Sequence, residues 1–193
     1  MSTLSVHRIL EDTAAEGFGR RFCIWVQGCS RHCLGCMAED TWDPAKGTKL
    51  PTEQVCARLR ARAARTPQLE GITLLGGEPF EQAGALGEAA QVARALGLSV
   101  IAFTGFTLEE LQARADPQVS SLLGLVDLLI DGPYQAARRD FSRPWAGSAN
   151  QRFLFLTDRY GPKDLARERN HVELRVRPDG SVAVNGMMDF LAV

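Results

Sequence analysis

Four of the five cysteines of this 193-residue chain fall within 14 residues, at Cys23, Cys29, Cys33 and Cys36, and the fifth is Cys56. An odd count clustered this way is a poor disulfide framework; grouped thiols in a chain without a secretion signal point to a metal. The tight part is Cys29-x3-Cys33-x2-Cys36. Zinc ribbons and fingers draw on two separated ligand pairs. Here no second pair follows, and His7, His32 and His171 are scattered, although His32 lies inside the run. Three closely spaced thiolates can hold three irons of a [4Fe-4S] cube and leave one iron open, and an open position is what catalytic metal sites keep. Cys23 sits in RFCIWVQGC, where Phe22, Ile24 and Val26 share one strand face and Cys23, Trp25 and Gln27 the other. It is expected to point into the sheet region rather than at the cube. Cys56, in a helix with Leu59 and Ala63, reads as a small buried hydrophobe.

The rest of the chain alternates strand and helix. A strand over Arg21–Gln27 runs into the Cys loop. Thr52 is expected to cap a helix to about Thr66, with Pro51 before it. GITLL (Gly71–Leu75) is a buried strand ending at Gly76-Gly77-Glu78-Pro79. A helix over Glu81–Leu96 stops at Gly97, a C′ glycine. Leu98–Phe103 is the next strand, and Thr107-Leu-Glu-Glu110 is a capping box. Val126–Ile130 is another strand, ending at Asp131-Gly132-Pro133. Tyr134–Gln151 reads as a long loop and Arg152–Leu156 as a further strand. His171–Arg177 and Ser181–Asn185 alternate around Pro178-Asp179-Gly180 as a hairpin. Short apolar strands separated by helices predict an α/β fold with a parallel sheet. The unusual residues all follow strands, and the carboxyl ends of parallel strands form the active face of such folds.

Composition removes other classes. With 45% hydrophobic and 23% charged residues the chain is neither disordered, collagen-like nor a coiled coil. Twenty-two Lys and Arg against 23 Asp and Glu give a net charge of -1, which argues against a partner that is nucleic acid or an anionic membrane. The basic tract Arg58–Arg65 reads as a solvated helix face. No apolar run approaches the roughly 18 residues of a membrane span. The N-terminal MSTLSVHRILED carries no apolar signal core, so a cytoplasmic location is expected.

These residues resemble the radical S-adenosylmethionine (SAM) family. The Cys loop matches its cluster loop, and Gly76-Gly77-Glu78-Pro79 matches the glycine-rich motif after its second strand. CIWVQGCSRHCLGC, Thr41-Trp42-Asp43-Pro44, LLGGEPFEQ, TGFTLEEL, DLLIDGPY and GSANQRFL narrow the likeness to the short activating proteins of anaerobic ribonucleotide reductase, from about Gly19 to Leu156. The resemblance implies a partial parallel (β/α) barrel over residues 1–160 and a small C-terminal β-hairpin extension over 161–193. It implies that Cys29, Cys33 and Cys36 ligate the cluster and that SAM chelates the fourth iron. Backbone groups of Gly76, Gly77 and Glu78 would hold the SAM amine, with Pro79, Thr104, Asp131, Ser148, Asn150 and Gln151 also at SAM. The implied activity is reductive cleavage of SAM to a 5′-deoxyadenosyl radical. The implied partners are a glycyl radical enzyme and a flavodoxin- or ferredoxin-type electron donor. The alternative is a stand-alone enzyme acting on a peptide or small metabolite.

Overall fold

The computed structural model describes residues 2–176 and 178–187. In chain order the elements are β1 (Thr3–Thr13), β2 (Arg20–Val26), β3 (Thr48–Pro51), α1 (Thr52–Arg65), β4 (Leu69–Gly76), α2 (Ala83–Ala95) and β5 (Ser99–Phe103). Then come α3 (Leu108–Ala113), α4 (Pro117–Leu123), β6 (Leu128–Asp131), β7 (Arg152–Phe155), α5 (Pro162–Leu165), β8 (Val172–Val176) and β9 (Val182–Gly186). Seven strands form one sheet in the order β3-β1-β2-β4-β5-β6-β7, and β8 and β9 form a separate hairpin.

The centre of the sheet, β2-β4-β5-β6, is parallel; β1, β3 and β7 are antiparallel to their neighbours. The parallel core was legible because its strands are short apolar runs with helical segments between them. The antiparallel flanks correct the expectation of a simple parallel sheet. Unannounced by any alternation, β1 carries two register irregularities against β2, between Val6 and Arg8 and between Leu10 and Thr13. Each such bulge breaks the period of two.

Phe22, Ile24 and Val26 do share a face. They join Ile72, Leu74, Val100, Ala102 and Leu129 in one core with Val55, Cys56 and Leu59 of α1, Leu86 and Ala90 of α2, Leu111 of α3, and Val119 and Leu122 of α4. Helices α1–α4 therefore cover the same side, whereas Leu165 of α5 packs on the other. Cys56 is the small core residue the sequence suggested, 2% exposed. Ile101, Leu128 and Ile130 belong to a second cluster with Phe18 and Trp145, which leaves the side away from the helices open for the loops at the strand ends.

Local chemistry sets the boundaries. At α3 the Thr107–Glu110 capping box is formed in both directions. Gly97 takes φ +75°, and the N–H groups of Gly97 and Leu98 turn back to Arg94 and Ala93, as a glycine terminator requires. Thr52 is not a cap: Pro51 occupies that position, and the Thr52 hydroxyl accepts from Ser2 Oγ at 2.6 Å. The hairpin lies where it was expected, although Arg177 and residues 188–193 fall outside the described residues.

Candidate functional site

The Cys loop begins where β2 ends. Gly28 turns at φ +104°; its N–H donates to Thr41 O at 2.7 Å and the Cys29 N–H to Trp42 O at 3.2 Å, so residues 29–41 return to their starting point. Gln27, 2% exposed, buttresses the closure by donating to Asp40 O and Asp43 O at 2.8 and 2.9 Å. Gln82 in turn donates to Gln27 O at 3.0 Å. Sequence reasoning passed over both glutamines; the available signal was a polar residue closing an otherwise apolar strand. Inside the loop His32 adopts φ +42°, and its ring stacks on Trp42 at 4.8 Å.

Cys29, Cys33 and Cys36 line one cavity of about 150 Å3 together with Gly76, Gly77, Glu78, Thr104 and Gly105. Burial pushes the Cys29 and Cys36 thiols up, and hydrogen bonds to sulfur oppose it: backbone N–H groups of Arg31 and His32 on Cys29, and Ala38 N–H on Cys36 at 3.4 Å. Among the described residues no three His, Cys, Asp or Glu side chains converge on a single ion. A cube takes its thiolates at separate corners, so three sulfurs spread around one cavity, two of them reached by N–H donors, fit a cluster. Cys23 lines no part of this cavity; it is fully buried on the other face of β2, and burial raises its thiol.

The Gly-Gly pair is dictated by the chain itself. Gly76 takes φ +104°, and a Cβ on Gly77 would lie 2.1 Å from Gly28 O. The crossing is held by Gly77 N–H to Val26 O at 2.9 Å and Glu78 N–H to Gly28 O at 2.8 Å. These glycines thus bring the glycine-rich loop against the mouth of the Cys loop. The N–H groups of Gly77 and Glu78 are spent on this crossing, and toward an ammonium, itself a donor, the backbone here offers carbonyl oxygens.

Glu78 is 1% exposed. Its carboxylate accepts from Phe80 N–H at 3.0 Å, Thr104 Oγ1 at 2.9 Å and Gly105 N–H at 2.8 Å, and burial pushes its pKa up to about 7. Pro79 is buried behind it as the first residue of a short 3-10 turn. Thr104 lines the cavity, yet its hydroxyl is spent on Glu78 and on Phe106 N–H.

Besides Pro79, three expected residues stand outside this cavity. Asp131 is fully buried, with Arg152 Nε at 2.9 Å, Arg152 Nη2 at 2.5 Å and Leu108 N–H at 2.8 Å. Ser148, also fully buried, accepts from Gln135 N–H at 3.2 Å. Asn150 donates to Pro133 O at 2.7 Å. Each fixes the rim from behind. Gln151, expected with them, does reach the cavity, as do Tyr134 and Phe103. They also line a larger neighbour of about 400 Å3, with which the first shares Cys36 and Gly76.

The family described as a 4Fe-4S single cluster domain matches residues 15–154. Anaerobic ribonucleoside-triphosphate reductase-activating proteins are similar over most of the chain. That of Vibrio cholerae is 28% identical over 77% of this chain and 96% of its own length. That of Pasteurella multocida is 30% identical over 70% and 87%, and that of Escherichia coli 30% over 77% and 96%. Among solved structures, QueE from Escherichia coli superposes with a TM-score of 0.44 at 20% identity over 54% of this chain and 53% of its own, too partial a likeness to bear on the argument. No helix among the described residues is long and apolar enough to cross a membrane.

Proposed function

Because the chain belongs to the 4Fe-4S single cluster family and, within it, to the anaerobic ribonucleoside-triphosphate reductase-activating proteins, we propose that it is a radical SAM activase of a glycyl radical enzyme. The observation that carries this reading is the meeting of three thiols with the glycine-rich strand end in one cavity. Cys29, Cys33 and Cys36 hold three irons. Carbonyl oxygens of the Gly76–Glu78 segment would accept from the amine of SAM, which would bind at the iron that the three cysteines leave open. When bound, the cluster supplies one electron to SAM, releasing methionine and a 5′-deoxyadenosyl radical that takes a hydrogen atom from the partner's glycine.

The protein's own share is positioning, as in other cofactor chemistry. Glu78 locks the end of β4 to the end of β5, so two walls of the cavity move as one. The N–H donors on Cys29 and Cys36 moderate the charge of the sulfurs. Asp131, Ser148 and Asn150 keep the β6 rim and the loop before β7 in place, acting behind the cofactor and not on it. The parallel strands β2-β4-β5-β6, with α1–α4 on one side, serve as a partial barrel that is open laterally to a protein loop. Residues 1–160 form the catalytic core, and 161–193 an extension to it. A flavodoxin- or ferredoxin-type protein is the electron donor this chemistry calls for.

The test is anaerobic. Purified protein should be brown and carry about four irons and four sulfides per chain. With reductant and SAM it should yield 5′-deoxyadenosine, and with the cognate reductase a doublet radical signal by EPR. Zinc alone in the protein, or a fully thiolate-ligated cube, would sink the proposal. Deoxyadenosine formed only with a small-molecule substrate would shift it to the stand-alone enzyme.

A further inference from the structure

The C-terminal hairpin is seated inside out. Its strands pair Glu173 with Asn185, Leu174 with Val184, and Val176 with Val182. The polar face is the one turned to the rest of the chain. Glu173 Oε1 accepts from Ala14 N–H at 2.7 Å, Asn185 donates to Thr13 Oγ1 at 2.8 Å, and Arg175 donates to Asp12 O. Gly186 N–H adds a bond to Glu16 Oε1 at 2.9 Å. The apolar face is turned to solvent, with Val176 73% and Leu174 66% exposed and Val182 and Val184 exposed beside them. A sheet with one wet face ordinarily buries its apolar side. Here polar anchors hold outward the face that hydrophobic burial alone would turn inward.

The patch has company. Among the described residues eight large apolar side chains are exposed; four are on this face, and two more, Leu34 and Met37, are in the Cys loop. Met37 and Val184 line the same chamber of about 400 Å3, which shares Cys36 with the thiol cavity. Such residues are ordinary when scattered singly, whereas a gathering of them marks an interface. The hairpin also follows residue 154, where the family match ends. The activating proteins of Vibrio cholerae and Escherichia coli match nearly their whole length with about three quarters of this chain.

We propose that the outer face of the hairpin, formed by Leu174, Val176, Val182 and Val184, is a docking surface for an apolar patch of the glycyl radical enzyme, which meets Leu34 and Met37 of the Cys loop at the same time. The position of the two patches selects this occupant. Whatever covers both sits over the chamber between them. A second copy of the chain would close it, whereas the protein substrate has to rest there to deliver its glycine. Area points the same way: four aliphatic side chains offer about 300 Å2, against roughly 800 Å2 per partner in a stable complex, so this face is one part of a larger contact and not a self-sufficient dimer interface. The assignment rests on the activase reading and adds to it the surface that recognises the partner.

The test measures binding of the cluster-loaded full chain to the purified cognate reductase under argon by biolayer interferometry. Leu174→Lys and Val182→Lys put a charge on the outer face without touching an anchor, and each should weaken binding about tenfold or more. Leu96→Lys, at an exposed apolar position at the end of α2, should bind as the parent does. Deoxyadenosine formed from SAM and a chemical reductant, with no reductase present, should be equal in all four proteins. Hydrogen exchange of β8 and β9 in the unmutated chain should slow when reductase is added, a readout that needs no variant to fold. Undiminished affinity in both hairpin variants with unchanged exchange overturns the docking surface. So does light scattering that finds the parent dimeric and the two hairpin variants monomeric, which would assign the face to a second copy. Slowed exchange with a flavodoxin in place of the reductase overturns it in favour of the electron donor. Absence of deoxyadenosine, or of any binding between parent and reductase, counts instead against the activase reading, and this partner falls with it.

Discussion

Thr104 donates its hydroxyl to the buried carboxylate of Glu78 at 2.9 Å, joining the carboxyl ends of two neighbouring parallel strands, β4 and β5. The same carboxylate takes the N–H of Gly105 at 2.8 Å. The link makes one continuous edge out of two loops that the sequence separates by 26 residues, and that edge faces the thiols.

Glu78 should leave a pH signature. Its pKa is raised from 4.5 to about 7 in the fold. Its neutral form is thus the one folding favours: the associated stability is full below pH 4.5, falls as pH rises toward 7, and is gone above. The span corresponds to about 3 kcal/mol. Urea denaturation of cluster-free protein between pH 4.5 and 8 should show this decline, and Glu78→Gln should flatten it. Parallel pH profiles for the two proteins would refute the assignment.

The cysteines divide into two groups. Cys29→Ala, Cys33→Ala and Cys36→Ala should each lose the brown colour and most bound iron. Cys23→Ala should keep the full complement of iron and sulfide while losing about 1–2 kcal/mol of stability through the small cavity left in a fully buried position. Iron and sulfide assays on anaerobically reconstituted samples decide it.

Gly77 and Gly87 should respond oppositely to alanine. The new methyl at Gly77 would meet Gly28 O at 2.1 Å, backbone against backbone, and should cost about 3 kcal/mol or more and disturb cluster uptake. At Gly87, inside α2, the added Cβ would meet nothing within 4 Å, and helix propensity should stabilise the protein by about 0.5–1 kcal/mol. Thermal melts of the two variants provide the comparison.

Arg152 is predicted to be a structural partner. It pairs with the fully buried Asp131 carboxylate while remaining partly exposed itself. Arg152→Met would leave that carboxylate with Leu108 N–H alone and should cost about 2 kcal/mol, with iron content unchanged. A loss of iron at undiminished stability would instead place this pair at the cofactor.

A 4Fe-4S cluster domain and a set of parallel strands were legible along the chain. Cysteine spacing, apolar runs and caps such as Thr107–Glu110 act within a few residues of one another, so they can be read along the chain. That Gly76 and Gly77 lack side chains is legible there too. The reason emerges in three dimensions: the chain crosses itself at Gly28. Tertiary packing decided too that Asp131 serves Arg152, that Glu78 serves Thr104, and that β1 and the C-terminal hairpin enclose a second chamber. In each of these the partner lies many residues away, and burial, which no local pattern encodes, fixes which polar atom must find which.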